Sequence, residues 1–270
     1  MSKSFLIYGC LIGSLVFFLL PIIWVFILSF QSDNWSTPVL TVAGFPIPFH
    51  HYQTLFANKP VWHYFLNTLT VVIGSTALSL GLGIPAAFAL ARSSHWLVQT
   101  VGMSLWIFRL IPPFALWIPM YVGMRDLNLL DTYLGMIVLQ TALKLSFTVW
   151  LLQGFFAALS PDLEAAACVD GCTLWGSFWR IALPLVMPGV GMVGGVGAIF
   201  SWNDLFVPLL VSGVHTRPLS LGILESVGSY TINWGEMSAF AMISSIPIFL
   251  GALCLDLSLF SKSNFSKSNQ

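Results

Sequence analysis

Three charged side chains, Arg109, Lys144 and Asp204, stand inside stretches otherwise apolar enough to sit in lipid. A charge at that depth is costly. It therefore faces a bundle interior or a water-filled cavity, paired with another group or poised on a solute path. Trp202 and Asn203 directly precede Asp204. The chemistry open to these five residues is holding and releasing a polar solute rather than making bonds. Two readings stand side by side: a translocation path, and an internal ion pair that fixes helix packing. Snorkelling is a variant of the second if the depth is shallower. Trp106, Trp117, Trp150 and Trp202 offer faces for sugar rings, although interfacial anchoring and packing are commoner uses of tryptophan.

Other chemistries find less support. An intramembrane enzyme needs a nucleophile beside a base, or a metal set. The apolar stretches hold no histidine, and neither HExxH nor GxSxG occurs, so no catalytic residue is assigned. His50, His51 and His63 fall in one polar segment without a carboxylate or cysteine cluster, which reads as a wet, aromatic surface loop rather than a metal site. Cys168 and Cys172 lack two further ligands and read as small apolar residues. "GVGMVG" at 189–194 matches a dinucleotide fingerprint by letter only. No strand precedes it, and residue 209, where a ribose-binding acid is expected, is leucine. The glycines, with Gly191 and Gly195 at GxxxG spacing, read as a close-packing helix face. No phosphate loop GxxxxGK[ST] occurs, so no cofactor is assigned to this chain; any ATP and Mg would sit on another one.

The most informative polar stretch is "DLEAAACVDGCTLWGSFWRIALPLVMPG", residues 162–189. Ser160-Pro161-Asp162 has the form of a helix start: a capping hydroxyl, proline at the first helical position, then acid in the first turn. Asp162 and Glu164 meet the positive end of the helix dipole. Ala165, Ala166, Ala167 and Cys168 favour helix and let another surface approach the backbone. Asp170-Gly171 stops the helix, with Gly171 suited to a left-handed cap. Thr173 can cap a second helix with Leu174, Phe178 and Ile181 on one stripe, expected to end at Pro184. A plain joint between spans needs only a few residues. Two helices hinged at a glycine point instead to a docking element for a soluble partner.

The elements that position these residues follow from composition. Of 270 residues, 57% are hydrophobic and 7% charged, whereas soluble domains carry about a quarter charged residues. An integral membrane protein follows, and the zero net charge offers no basic face for nucleic acid. A spanning helix takes about 20 apolar residues, and six stretches qualify: 5–30, 64–91, 97–124, 134–159, 189–213 and 236–260. They are too long and uniform for barrel strands. The first reads as an uncleaved anchor. With both termini inside, Lys3, Arg92, Arg180, Lys262 and Lys267 are internal, against Lys59, Arg125 and Arg217 outside, which leans toward positive-inside. The 31–63 segment is then external and the 160–188 loop cytoplasmic.

Glu164-Ala165-Ala166, Gly171 and Ile181-x-Leu183-Pro184 keep the spacing of the EAA loop of bacterial ABC-transporter permeases, and the chain resembles that family. "AAFALAR" at 86–92, "IPP" at 111–113, "IPMY" at 118–121, "WLLQGFF" at 150–156 and "WNDLFVPLL" at 202–210 look like its carbohydrate branch, of the maltose-permease type. Two features depart from it: the short polar end "SKSNFSKSNQ", and Lys144 within "LKLSF". The resemblance implies an all-α type I importer permease with six transmembrane helices. Its parts are an N-terminal helix and external loop over 1–62, a permease domain over 63–260, and a short tail over 261–270. It implies a multi-pass protein of the bacterial inner membrane, with a second permease subunit, two ATPase subunits carrying ATP and Mg, and an external solute-binding protein as partners. Glu164, Ala165, Ala166, Asp170, Gly171, Ile181, Leu183 and Pro184 would couple to the ATPase, with Glu164 giving a charged contact in its cleft. The implied solute is a sugar or oligosaccharide. A polyamine, phosphonate or iron permease of the same fold stays open as an alternative, and a channel acting alone would leave the loop without a partner.

Overall fold

The computed structural model describes residues 2–31, 49–227 and 232–267, with side chains for 7–31, 49–227 and 232–251. Its helices are α1 Ser2–Leu28, α2 His50–Asn58, α3 Val61–Arg92, α4 Trp96–Leu110, α5 Trp117–Asp126, α6 Tyr133–Ala157, α7 Pro161–Val169, α8 Leu174–Ser177, α9 Leu183–Asn203, α10 Phe206–Val211, α11 Leu219–Leu224 and α12 Trp234–Lys267. Among the described residues there is no strand, only an isolated bridge between Val227 and Ile232. The all-α expectation holds, as lipid requires: only a helix satisfies its own backbone there without a closed barrel.

Among the described residues four helical stretches are long and apolar enough to cross a membrane: Ile7–Leu28, Val61–Arg92, Tyr133–Ala157 and Leu174–Asn203. The run expected over 97–124 is not one helix. α4 ends at Leu110, a 3-10 turn spans Pro113–Leu116, and the axis bends by 98° into α5. Pro112 and Pro113 explain the break, since neither can donate to a preceding turn. Counted as one broken span, this pair is a fifth. The expected sixth, 236–260, lies within α12, whose backbone stays helical through Lys267, well into the expected tail.

The fifth expected span begins earlier than residue 189. Pro184 does not end the second loop helix; α8 runs through a π-helical turn, Phe178–Ala182, directly into α9. Leu183 N–H bonds back five residues to Phe178 O, and Pro184 follows directly on this wider turn. The close packing expected of the α9 glycines is present at two of the three in the 189–194 motif. A side chain at Gly189 would strike the Phe155 ring and one at Gly194 would press on Leu80, whereas Gly191 has no neighbour in reach.

Two compact units make up the chain, Met1–Phe65 with Leu219–Leu250, and Leu66–Pro218 with Gly251–Gln270. In the first, α1 exposes apolar side chains all round. Lys59 Nζ lies 2.6 Å from Glu236 and 3.9 Å from Glu225. Residues 50–58 are not the wet loop expected of them. They form α2, on which His51 is buried and donates from Nε2 to Gln31 O at 2.6 Å. Residues 32–48 of that segment lie outside the described residues.

In the second unit one core gathers Ala87 and Leu90 of α3, Val149, Leu152 and Phe156 of α6, Phe178 of the π turn, and Val186, Val190 and Val193 of α9. Another joins Val71, Met124, Met136, Leu139, Val207 and Leu210. The turn before α6 is tied by Asp131, in a left-handed conformation (φ 53°), whose carboxylate accepts from the N–H groups of Gly213, His215 and Thr216 and from the Thr216 hydroxyl. Burial pushes this acid up, but the Thr216, His215 and Gly213 bonds outweigh it and hold the pKa at about 2, below the ordinary 3.8. A depressed carboxylate adds stability above the unfolded pKa and loses it as pH falls through the folded value. Thermal unfolding of the detergent-solubilised protein between pH 4 and pH 2 should therefore be steeper in pH for wild type than for Asp131→Asn. The variant should be the less stable above pH 4; parallel profiles would show that the acid does not hold the turn.

Candidate functional site

Two sites arise within the second unit, a surface loop and an intramembrane cavity. The loop begins with α7. Ser160 Oγ accepts from Asp162 N–H, and Pro161 occupies the first helical position. At the other end Gly171 N–H bonds Cys168 O at 3.1 Å and Cys172 N–H bonds Ala167 O at 2.9 Å. That 5→2 and 6→1 pairing is a Schellman stop, and Gly171 takes the left-handed conformation it needs, at φ 92°. Thr173 accepts from Gly176 N–H and starts α8. The hinge expected at Gly171 is thus present, with both caps as expected.

The loop is two-faced. Glu164, Ala167, Ser177, Phe178 and Ala182 are buried. Ala165, Ala166, Asp170 and Pro184 are exposed, Ile181 and Leu183 half-buried. Large apolar groups stand in the open beside them: Val169 is 88% exposed, Leu174 73%, Trp175 65% and Trp179 61%. Val169 lies outside the candidate span Leu174–Asn203, and Leu174, Trp175 and Trp179 lie in its first two turns; exposed apolar surface at the edge of a span marks a contact with another molecule.

Glu164 makes a contact within this chain that the sequence did not suggest. Its side chain turns inward, 8% exposed as a residue, and meets Arg92 at the end of α3. Arg92 Nε and Nη2 both donate to the carboxylate, at 3.0 and 2.8 Å, and Nη2 also donates to Leu159 O. A forked guanidinium–carboxylate pair is among the strongest side-chain contacts. Glu164 therefore clamps α7 to the end of α3 rather than presenting charge outward. Arg92 counted in the sequence only as an inside charge, because nothing local links residues 72 positions apart.

The cavity has a volume of about 400 Å³ and is walled by the end of α4, the 3-10 turn, α6 and the end of α9. Arg109, Lys144 and Asp204 all line it, with Gln140, Ser201 and the rings of Phe108, Phe147 and Phe200. Trp202 is buried away from it, and Asn203 is exposed, donating to Ile199 O; neither lines the cavity. The cavity thus unites three of the five path candidates.

Lys144 lies in a cage of hydroxyls. Nζ donates to Ser75 Oγ at 2.9 Å, Thr76 Oγ1 at 3.2 Å and Ser201 Oγ at 2.5 Å, so each of its three donors has an acceptor. Asp204 accepts from Phe206 N–H, Val207 N–H and Gln140 Nε2, which starts α10. Hydrogen bonds also link the two charges: Ser75 Oγ accepts from Lys144 and donates to Gln140 Oε1, and Gln140 Nε2 donates to Asp204. Arg109 lies over the Phe147 ring, 5.1 Å from its centroid. The sequence reading missed Ser75, Thr76, Gln140 and Ser201. A signal existed: Gln140, Lys144 and Thr148 recur four apart, a polar seam on an apolar helix.

Comparison with known proteins places the chain in a family. Residues 79–260 match the family described as "Binding-protein-dependent transport system inner membrane component". The chain is 31% identical over 241 residues to the diacetylchitobiose uptake system permease protein DasC of Streptomyces coelicolor, covering 85% of this chain and 84% of that protein. It is 30% identical over 236 residues to the sulfoquinovosyl glycerol transport system permease protein SmoH of Agrobacterium fabrum, covering 85% and 81%. Its fold is similar to a chain of a bacterial ABC transporter involved in the import of the acidic polysaccharide alginate. That match has a TM-score of 0.76 at 22% identity and covers 95% of this chain and 98% of the other.

Proposed function

Because the chain belongs to the family of binding-protein-dependent transport system inner membrane components, we propose that it forms half of the translocation pathway of an ATP-driven sugar importer and is driven through its 160–184 loop. It is an ABC-transporter permease, a multi-pass transport subunit of the inner membrane. The solute is a sugar or oligosaccharide, as the names of DasC and SmoH suggest for those relatives. A second permease subunit completes the pore. Two ATPase subunits bind and hydrolyse ATP with Mg, and an external binding protein delivers the solute. Both termini and the loop face the cytoplasm.

The observation that carries this reading is the two-faced loop. Its buried side is fixed to α3, α6 and α9 through Arg92, Phe156 and Phe178. Its open side carries Ala165, Ala166, Val169, Leu174, Trp175 and Trp179. A rigid loop, anchored in the spans and apolar outward, can transmit a push from a docked partner into the helices, the movement that alternating access needs. Partners bind such patches through a few aromatic anchors. The double variant Trp175→Ala/Trp179→Ala should thus insert normally yet hold the ATPase about thirtyfold more weakly on purified membranes, since two such anchors at ~1 kcal/mol each sum to ~2 kcal/mol. Full retention would remove the loop from the interface. Because ATP is cytoplasmic, the same result also reports the side on which the loop lies.

A further inference from the structure

We propose that the intramembrane cavity is a binding site for an acidic sugar, one bearing a carboxylate or sulfonate, with the Arg109 guanidinium as the group that takes the anion. This rests on the permease reading above and names its substrate class.

The charge pattern of the cavity carries the inference. Its lining presents two cations, Arg109 and Lys144, against one carboxylate, Asp204. The Asp204 oxygens receive the two N–H groups that open α10 and the Gln140 amide. The three donors of Lys144 each reach a hydroxyl. Arg109 differs from both. Among the described residues it has no hydrogen bond or ion pair, and its only recorded contact of this kind is the Phe147 face. Arg109 is exposed in this chain, in the last turn of α4, so its guanidinium stands open to an anion that enters the cavity. Its planar fork matches two oxygens of a carboxylate or sulfonate, which a lysine at the same place would not.

The remaining lining suits a sugar better than a small inorganic anion. Phe108, Phe147 and Phe200 offer apolar faces, while Gln140 and Ser201 offer hydrogen-bonding groups. Few polar groups among aromatic walls, in a volume of about 400 Å³, is the usual make-up of a small-molecule site. A neutral sugar would fill the space but leave Arg109 unmatched.

The test uses the assembled transporter purified in detergent, titrated calorimetrically with trigalacturonate and with maltotriose, in the presence and absence of phosphatidylglycerol. Wild type should bind the acidic trisaccharide at least about tenfold more tightly, in keeping with a charged hydrogen-bonded pair. Arg109→Gln should remove the preference, and Arg109→Lys should keep part of it. The proposal is overturned by equal affinity for the two sugars, by binding of neither, by a preference that survives in Arg109→Gln, or by loss of the preference when phosphatidylglycerol is added, which assigns Arg109 to a lipid headgroup. Release of the second permease subunit by Arg109→Gln, with sugar preference unchanged, would assign it to an acid of that subunit and also overturn it. ATPase retained on the same preparations reads the coupling loop independently, so failure of the sugar class and failure of the permease reading give different results.

Discussion

Glu164→Ala should destabilise the protein by about 2–3 kcal/mol, and should do so whether or not an ATPase is present. The carboxylate lies in a forked contact with Arg92 at 2.8–3.1 Å, with side chains 10% and 17% exposed. Removing one partner of a buried pair leaves the other charge uncompensated, which costs about 3–5 kcal/mol when burial is complete. Partial access of water lowers that figure, while an exposed pair would be worth no more than about 1 kcal/mol. Arg92→Ala should cost as much or more, since Arg92 Nη2 also holds Leu159 O. The double variant Arg92→Met/Glu164→Met should recover most of the loss, because apolar groups of similar volume replace a buried pair at little cost. Thermal unfolding of the four proteins, without ATPase, gives the coupling energy. If both single variants melt with wild type, the clamp is an idle contact, and Glu164 is free to serve a partner instead.

The clamp also shows what kind of information a lone sequence carries. The ends of α7 were legible because caps are local: Ser160-Pro161 and Asp170-Gly171 spell out a start and a stop within a few residues. The end of α8 was not. Pro184 reads as a breaker by the same local logic, but the π turn at Phe178–Ala182 shifts the bonding by one residue and carries the helix past it. The break at Pro112 and Pro113 was masked for a different reason: hydropathy averages over direction, so two helices at 98° look like one long apolar run. The three membrane charges were each visible in isolation, and all three meet in one cavity. Their neighbours were not visible, because which face of α3, α6 or α9 turns inward depends on helix rotation and on pairings such as Ser75 with Ser201, 126 positions apart. Glu164 and Arg92 fall in the same class: two residue types that suit each other, brought together only by the way α7 folds back on α3.

Gly171→Val should leave insertion near normal and lower ATPase association and solute uptake together, by about tenfold. The cost arises in the backbone rather than in packing. Gly171 is at φ 92°, and a Cβ added there would meet nothing within 4 Å. A β-branched residue is disfavoured at positive φ by about 1–2 kcal/mol or more. The chain relieves that strain by giving up the bonds from Gly171 N–H to Cys168 O and from Cys172 N–H to Ala167 O, which frays the last turn of α7. That turn carries Ala166 and Val169 on the open side of the loop. The spans do not pass through it, and Arg92 still holds Glu164 one turn earlier, so the fold outside the loop should persist. This separates the variant from Glu164→Ala, which loosens the anchored side and lowers stability even without a partner. Gly171→Asn serves as the control, since asparagine accepts the left-handed conformation and should fall between wild type and valine. ATPase retained on purified membranes and uptake by intact cells should decline in parallel along the series glycine, asparagine, valine. Full ATPase retention and full uptake in Gly171→Val would mean that the shape of the α7 end is irrelevant to coupling, and the loop would lose its mechanical role.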